Sequence, residues 1–124
     1  MRKLIVYLVV LLTITGCAKT SIKEAITTNS KTVTSSEASS LIKEGAILID
    51  VRTKEEYDEK HITGAVNIPL AEIEKGNINY NKDTAIIVYC RSGNRSATAA
   101  KELITLGYTS IYDLGSINNW KETE

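Results

Sequence analysis

Ala85-Ile-Ile-Val-Tyr-Cys-Arg-Ser-Gly-Asn-Arg-Ser96 passes from a continuous apolar run into a short polar loop. Ala85 to Cys90 shows no polar alternation, the pattern of a strand buried on both faces. Ser96 to Leu106 reads as a helix, with Ala97, Ala100, Leu103 and Ile104 on one face and Gly107 at its end. A buried strand that turns directly into a helix is the repeating unit of a parallel sheet.

Outward from this unit the same alternation recurs. Ala46-Ile-Leu-Ile-Asp-Val51 is a second continuous apolar run, and Ala65-Val-Asn-Ile-Pro-Leu70 and Ser110-Ile-Tyr-Asp-Leu114 are shorter strand candidates. Ser36 to Lys43 places Ala38, Leu41 and Ile42 on one helical face and is closed by Gly45. Thr53-Lys-Glu-Glu56 has the form of a capping box and opens a helix that runs to Lys60. The expected fold class is therefore α/β, with a mainly parallel central sheet flanked by helices on both faces. No internal repeat is visible.

The chain has 124 residues, with 15 Lys and Arg against 15 Asp and Glu. This length suits one domain, and the balanced charge gives no reason to expect a nucleic-acid partner. A core without phenylalanine must rest on Ile, Leu, Val, Ala and Tyr. The lone histidine, His61, argues against a His-built metal site, and it reads as a loop-fixing hydrogen bonder. No metal and no cofactor are expected, and the domain is expected to be a monomer.

The N-terminus reads as an address. Arg2 and Lys3 precede an uncharged apolar run, Leu4 to Leu12, and Ile14-Thr-Gly-Cys17 closes it with small residues before a cysteine. That is a bacterial secretory signal, and the apolar run is too short for a membrane span of about 20 residues. Its end resembles a lipobox, which implies lipidation of Cys17 and cleavage just before it. Residues 1–16 are then a lipoprotein signal peptide, residues 17–31 a lipidated cysteine with a polar, flexible tether, and residues 32–124 the domain. The expected location is extracytoplasmic, on a bacterial membrane. A lipidated Cys17 leaves Cys90 without an intramolecular partner, and a lone thiol outside the cytoplasm invites a functional explanation.

Cys90-Arg-Ser-Gly-Asn-Arg-Ser96 is the segment that carries chemistry. Ligands of parallel α/β sheets bind at the C-terminal ends of strands, where Cys90 falls. Gly93 permits close backbone approach and lets a short loop turn its N–H groups inward as an anion-binding concavity. The following helix adds its positive dipole end, and Arg91 and Arg95 add formal charge. All three factors favour a thiolate, the nucleophilic form. A free cysteine is commonly a small core residue, but the adjoining Arg, Ser, Gly, Asn, Arg cluster suits a core poorly, and the loop is expected to face solvent. The expected nucleophile is Cys90, and the expected binding residues are Arg91, Ser92, Gly93, Asn94, Arg95 and Ser96.

These residues resemble the active-site loop of single-domain rhodaneses. Further matches follow in chain order: Asp50-Val-Arg52 with Glu55-Glu-Tyr57, His61-Ile-Thr-Gly-Ala65 with Asn67-Ile-Pro69, then Gly107-Tyr108, Leu114-Gly115 and Trp120. Many members carry a second glycine where this chain has Ser116. The resemblance implies a sheet of about five strands and a sulfurtransferase. Cys90 would attack the sulfane sulfur of thiosulfate or a related small anionic donor, hold a persulfide, and pass the sulfur to cyanide or a thiol. Arg91 and Arg95 would attract the donor, and Ser92 and Ser96 would add hydroxyl donors. Asp50 and Arg52 are implied to be structural, as an ion pair or loop brace.

Two rivals belong to other classes. A non-catalytic rhodanese-like binding module often lacks the cysteine that this chain retains. A cysteine phosphatase needs a loop one residue longer than the four residues separating Cys90 from Arg95. A redox protein is disfavoured by the absence of a C-x-x-C pair.

Overall fold

The computed structural model describes residues 29–122. The expected signal peptide, Cys17 and nearly all of the expected tether lie outside these residues. The chain alternates short strands and helices: β1 (Lys31–Thr32), α1 (Ser35–Lys43), β2 (Ile47–Asp50), α2 (Lys54–Glu59), β3 (Val66–Asn67), α3 (Leu70–Glu74), β4 (Ile86–Cys90), α4 (Asn94–Thr105) and β5 (Ile111–Ser116). A 3-10 turn, Ile117–Asn119, follows β5. The strands form one sheet in the order β1-β5-β4-β2-β3, with every pairing parallel. This is the expected fold class.

β4 is central, and all five of its residues are buried. Its side chains alternate between two cores, as strand geometry requires. Ile86, Val88 and Cys90 join the core built with α3 and α4 through Ile73, Ala99, Ala100 and Leu103. Ile87 and Tyr89 face the opposite core, which takes Ala38 from α1 and, half-buried, Tyr57 from α2. The helices thus cover both faces, and Cys90 is committed to the α4 side.

Several local expectations hold, and others shift for identifiable reasons. The capping box at Thr53 is present: its hydroxyl accepts from Glu56 N at 3.2 Å, and Glu56 Oε1 accepts from Thr53 N at 3.2 Å. A second capping box, Thr34 with Glu37, starts α1. The apolar segment 65–70 is a strand only over Val66–Asn67. Pro69 has no N–H to continue the ladder and instead precedes α3, a helix for which the sequence reading has no counterpart. Lys31, placed at the end of the tether, is already in β1, paired with Tyr112. The apolar face of α4 also differs, since Ala97 is exposed and Ala99 is buried.

β5 carries an irregularity. Val88 pairs with Asp113, but Tyr89 pairs with Gly115, so Leu114 is an extra residue on the β5 side. Gly115 has φ +82°, a conformation costly for residues with a Cβ, and a Cβ there would lie 3.1 Å from the Asn119 amide. The bulge sets Ser116 opposite Cys90 at the end of the ladder.

Candidate active site

The loop between β4 and α4 is only Arg91, Ser92 and Gly93. The helix begins two residues before the sequence reading placed it, at Asn94, so Ser96 lies in its first turn. Gly93 makes the reversal at φ +101° and caps the helix without a side chain. The sulfur of Cys90 takes the place of a capping oxygen. Its Sγ accepts from Gly93 N at 3.0 Å and from Ser96 N at 3.3 Å. Ser96 N is one of the amides that a helix N-terminus leaves without an internal partner. Two backbone donors and the positive end of a 12-residue helix therefore converge on one sulfur.

The loop faces solvent at Arg91 and Ser92, as does Asn94 at the start of α4, but Cys90 itself is fully buried. The expectation of a solvent-facing site thus holds for the loop and not for the sulfur, because the alternation of β4 turns Cys90 into the α4 core. The expected hydroxyl donors are also placed differently from one another. Ser96 is buried, and its Oγ donates to Gly93 O at 3.1 Å, leaving its backbone N–H as its contribution at the sulfur. Ser92 is exposed.

The two arginines have separate environments. Arg95 forms a bidentate pair with Glu56, Nη1 to Oε1 at 2.7 Å and Nη2 to Oε2 at 3.0 Å. Its charge is offset, and the pair ties α2 to the start of α4. Arg91 is exposed and makes no ion pair among the described residues. It lines a cavity of about 300 Å³ together with Arg52, Glu56, Glu59, Lys60, Ile117 and Asn118. The cavity adjoins the loop through Arg91, and Cys90 is not part of its lining.

Asp50 and Arg52 form the ion pair that the resemblance implies. Arg52 Nε and Nη2 donate to Asp50 Oδ1 and Oδ2 at 2.9 and 2.7 Å, with both side chains buried. Nη2 also donates to Lys60 O at 2.6 Å, which fixes the end of α2. The hydrogen bond to Asp50 above all holds the guanidinium more firmly charged than usual. His61 Nδ1–H donates to Tyr57 O, 2.8 Å away, and the imidazole stacks on the Tyr57 ring. That agrees with a loop-fixing part.

Two residues that the sequence reading did not assign to the site act on it. Glu56 was legible as a capping residue, but its pairing with Arg95 spans 39 positions. Ser116 donates through Oγ to Arg91 O at 2.7 Å, and its only sequence signal is that it stands where a second glycine is common.

The Glu56 pair gives a pH signature. The Arg95 guanidinium, more than the Thr53 contacts, holds the Glu56 carboxyl at about 2, against an ordinary 4.5. A depressed folded value stabilises the fold above the unfolded value, and the stabilisation is lost as pH falls from 4.5 through about 2. The pair is partly solvated, so its worth is under about 1 kcal/mol. The stability difference between wild type and Glu56→Gln, measured by urea unfolding, is expected to be constant above the unfolded value and to narrow below it. A difference that grows on acidification would contradict the assignment.

Comparison with known proteins gives one family. A model of the Rhodanese-like domain matches residues 34–123. Thiosulfate sulfurtransferase GlpE of Coxiella burnetii is 32% identical over 93 residues, covering 73% of this chain and 87% of that protein. Thiosulfate sulfurtransferase PspE of Escherichia coli is 36% identical over 73 residues, covering 57% and 70%. The human single-domain sulfurtransferase TSTD1 superposes with a TM-score of 0.68 at 29% identity, covering 77% of this chain and all of that structure. The match takes in every element from α1 through β5 and the turn beyond it, with the Cys90 loop inside it, and the chain therefore belongs to the rhodanese-like domain family.

Proposed function

We propose that the protein is a sulfurtransferase that takes sulfane sulfur from thiosulfate, or from a similar small anion, onto Cys90 and passes it to a thiol or to cyanide. The convergence of Gly93 N and Ser96 N on Cys90 Sγ carries this reading. A nucleophilic sulfur needs donors that stabilise negative charge, and the same donors serve a persulfide. The names of the bacterial relatives add support for thiosulfate as donor.

In the first half-reaction the Cys90 thiolate attacks the outer sulfur of thiosulfate. An S–S bond forms, the sulfur–sulfur bond of thiosulfate breaks, and sulfite leaves with its electron pair. In the second, a thiolate or cyanide attacks the terminal sulfur, and the Cys90 thiolate is released. This is covalent catalysis in two steps. Exposed Arg91 supplies long-range attraction for the anionic donor, whereas the Arg95 charge is offset by Glu56. Steady-state thiosulfate:cyanide turnover tests the reading. Turnover that falls with ionic strength is expected. Hydrolysis of an aryl phosphate without thiosulfate turnover would overturn it.

The location belongs to the same proposal. Cys17 carries lipid, on the strength of the residues around it, and holds the domain at a bacterial membrane on its extracytoplasmic side. Cys17→Ser is expected to block processing or release the protein from membranes. Unchanged mature size and membrane partition would contradict the anchor.

A further inference from the structure

Ser116 stands at the end of β5, opposite Cys90 in the β4–β5 ladder. Its hydroxyl makes two contacts whose directions are fixed by chemistry. Asn118 N lies 3.0 Å away and, as a backbone N–H, can only donate. Arg91 O lies 2.7 Å away and, as a carbonyl, can only accept. The Ser116 proton therefore points at Arg91 O, the first carbonyl after the nucleophile. The C=O and N–H of a trans peptide point in opposite directions. Holding Arg91 O toward β5 thus turns the Ser92 N–H away from β5. The bulge and the positive φ of Gly115 bring Ser116 to this position. Through Asn118, the same hydroxyl ties the loop to a wall of the cavity that Arg91 also lines.

We propose that Ser116 is a positioning residue for sulfur transfer, its hydroxyl clamping the Arg91–Ser92 peptide so that the loop keeps its N–H groups disposed around the transferred sulfur. The proposal rests on the sulfurtransferase reading. It assigns to one side chain a constraint that a glycine at this position would not supply.

The test uses the full-length chain carrying Cys17→Ser, in detergent, so that Cys90 is the sole thiol. In this background Ser116→Ala is expected to lower kcat for thiosulfate:cyanide transfer by about tenfold, with KM for thiosulfate changed less. Ser116→Thr, which keeps the hydroxyl, is expected to restore kcat to within about twofold of the parent. Alkylation of Cys90 by iodoacetamide at neutral pH is expected to slow in Ser116→Ala and not in Ser116→Thr. Unchanged kcat in Ser116→Ala, or a Ser116→Thr variant as slow as Ser116→Ala, would overturn the proposal. A purely structural part would lower the melting temperature and leave kcat unchanged well below it. If the parent itself turns over no thiosulfate, the sulfurtransferase reading fails. The alkylation rates then still decide for or against the clamp.

Discussion

Replacing Cys90 by serine is expected to reduce thiosulfate:cyanide turnover by at least about a thousandfold. No other thiol exists among the described residues, and a hydroxyl held by two N–H donors is a poor nucleophile toward sulfane sulfur. The structural cost is much smaller. Cys90 is fully buried, and its Sγ accepts from Gly93 N and Ser96 N. A serine oxygen lies closer to the backbone and lengthens both contacts, which costs about 1 kcal/mol. The variant therefore folds, and its melting curve shifts by only a few degrees. Residual turnover above about a hundredth of wild type would show that Cys90 is not the nucleophile. Loss of folding would show that its part is structural.

The largest effect on stability is expected at Asp50. Its carboxylate is fully buried and receives the Arg52 guanidinium and the Arg52 backbone N–H. Asp50→Ala leaves a buried guanidinium with Lys60 O as its remaining acceptor. Breaking one half of such a pair costs about 3 kcal/mol or more. For a domain of this size the melting temperature should fall by more than about 10 °C, read by circular dichroism. Removing both charges together, as Asp50→Leu with Arg52→Met, should cost less than Asp50→Ala alone. If the double replacement is the more damaging of the two, the pair contributes net stability, and an orphaned charge is not what destabilises Asp50→Ala.

The sequence carried the fold where physical signals were local and strong. The continuous apolar runs of β2 and β4 could only be satisfied by burial on both faces, and the structure gives each strand two cores to fill. The Thr53 capping box was legible because it is closed within four residues. β1 has two exposed residues and no apolar pattern, so nothing local marked it. Pro69 ended one strand and allowed α3 to begin, a change of element within one apolar stretch that periodicity alone does not divide. The number of strands came from resemblance and not from the residues.

The site shows the same division. Cys90 at the end of a buried strand, Gly93 in the turn and a helix beyond were all readable, and they place the two N–H donors at the sulfur. The partners of the loop side chains were not. Both arginines looked equivalent, yet Arg95 meets Glu56 on α2 while Arg91 faces the cavity. Ser96 looked like a hydroxyl donor, yet its hydroxyl caps Gly93 O and its amide meets the sulfur. The Ser116 contact spans 25 positions and depends on a bulge, which has no sequence period of its own. Local chemistry shows in sequence, whereas pairings across the sheet depend on register.

Sulfur loading decides whether Cys90 carries the transferred sulfur. The full-length chain carrying Cys17→Ser has one cysteine, so any persulfide it forms must lie at Cys90. Incubation with thiosulfate, followed by intact-mass measurement, should show a gain of one sulfur atom that cyanide removes, and no gain when Cys90→Ser is added. A chain that gains no sulfur from thiosulfate, or one that still gains it after Cys90→Ser, would contradict the account.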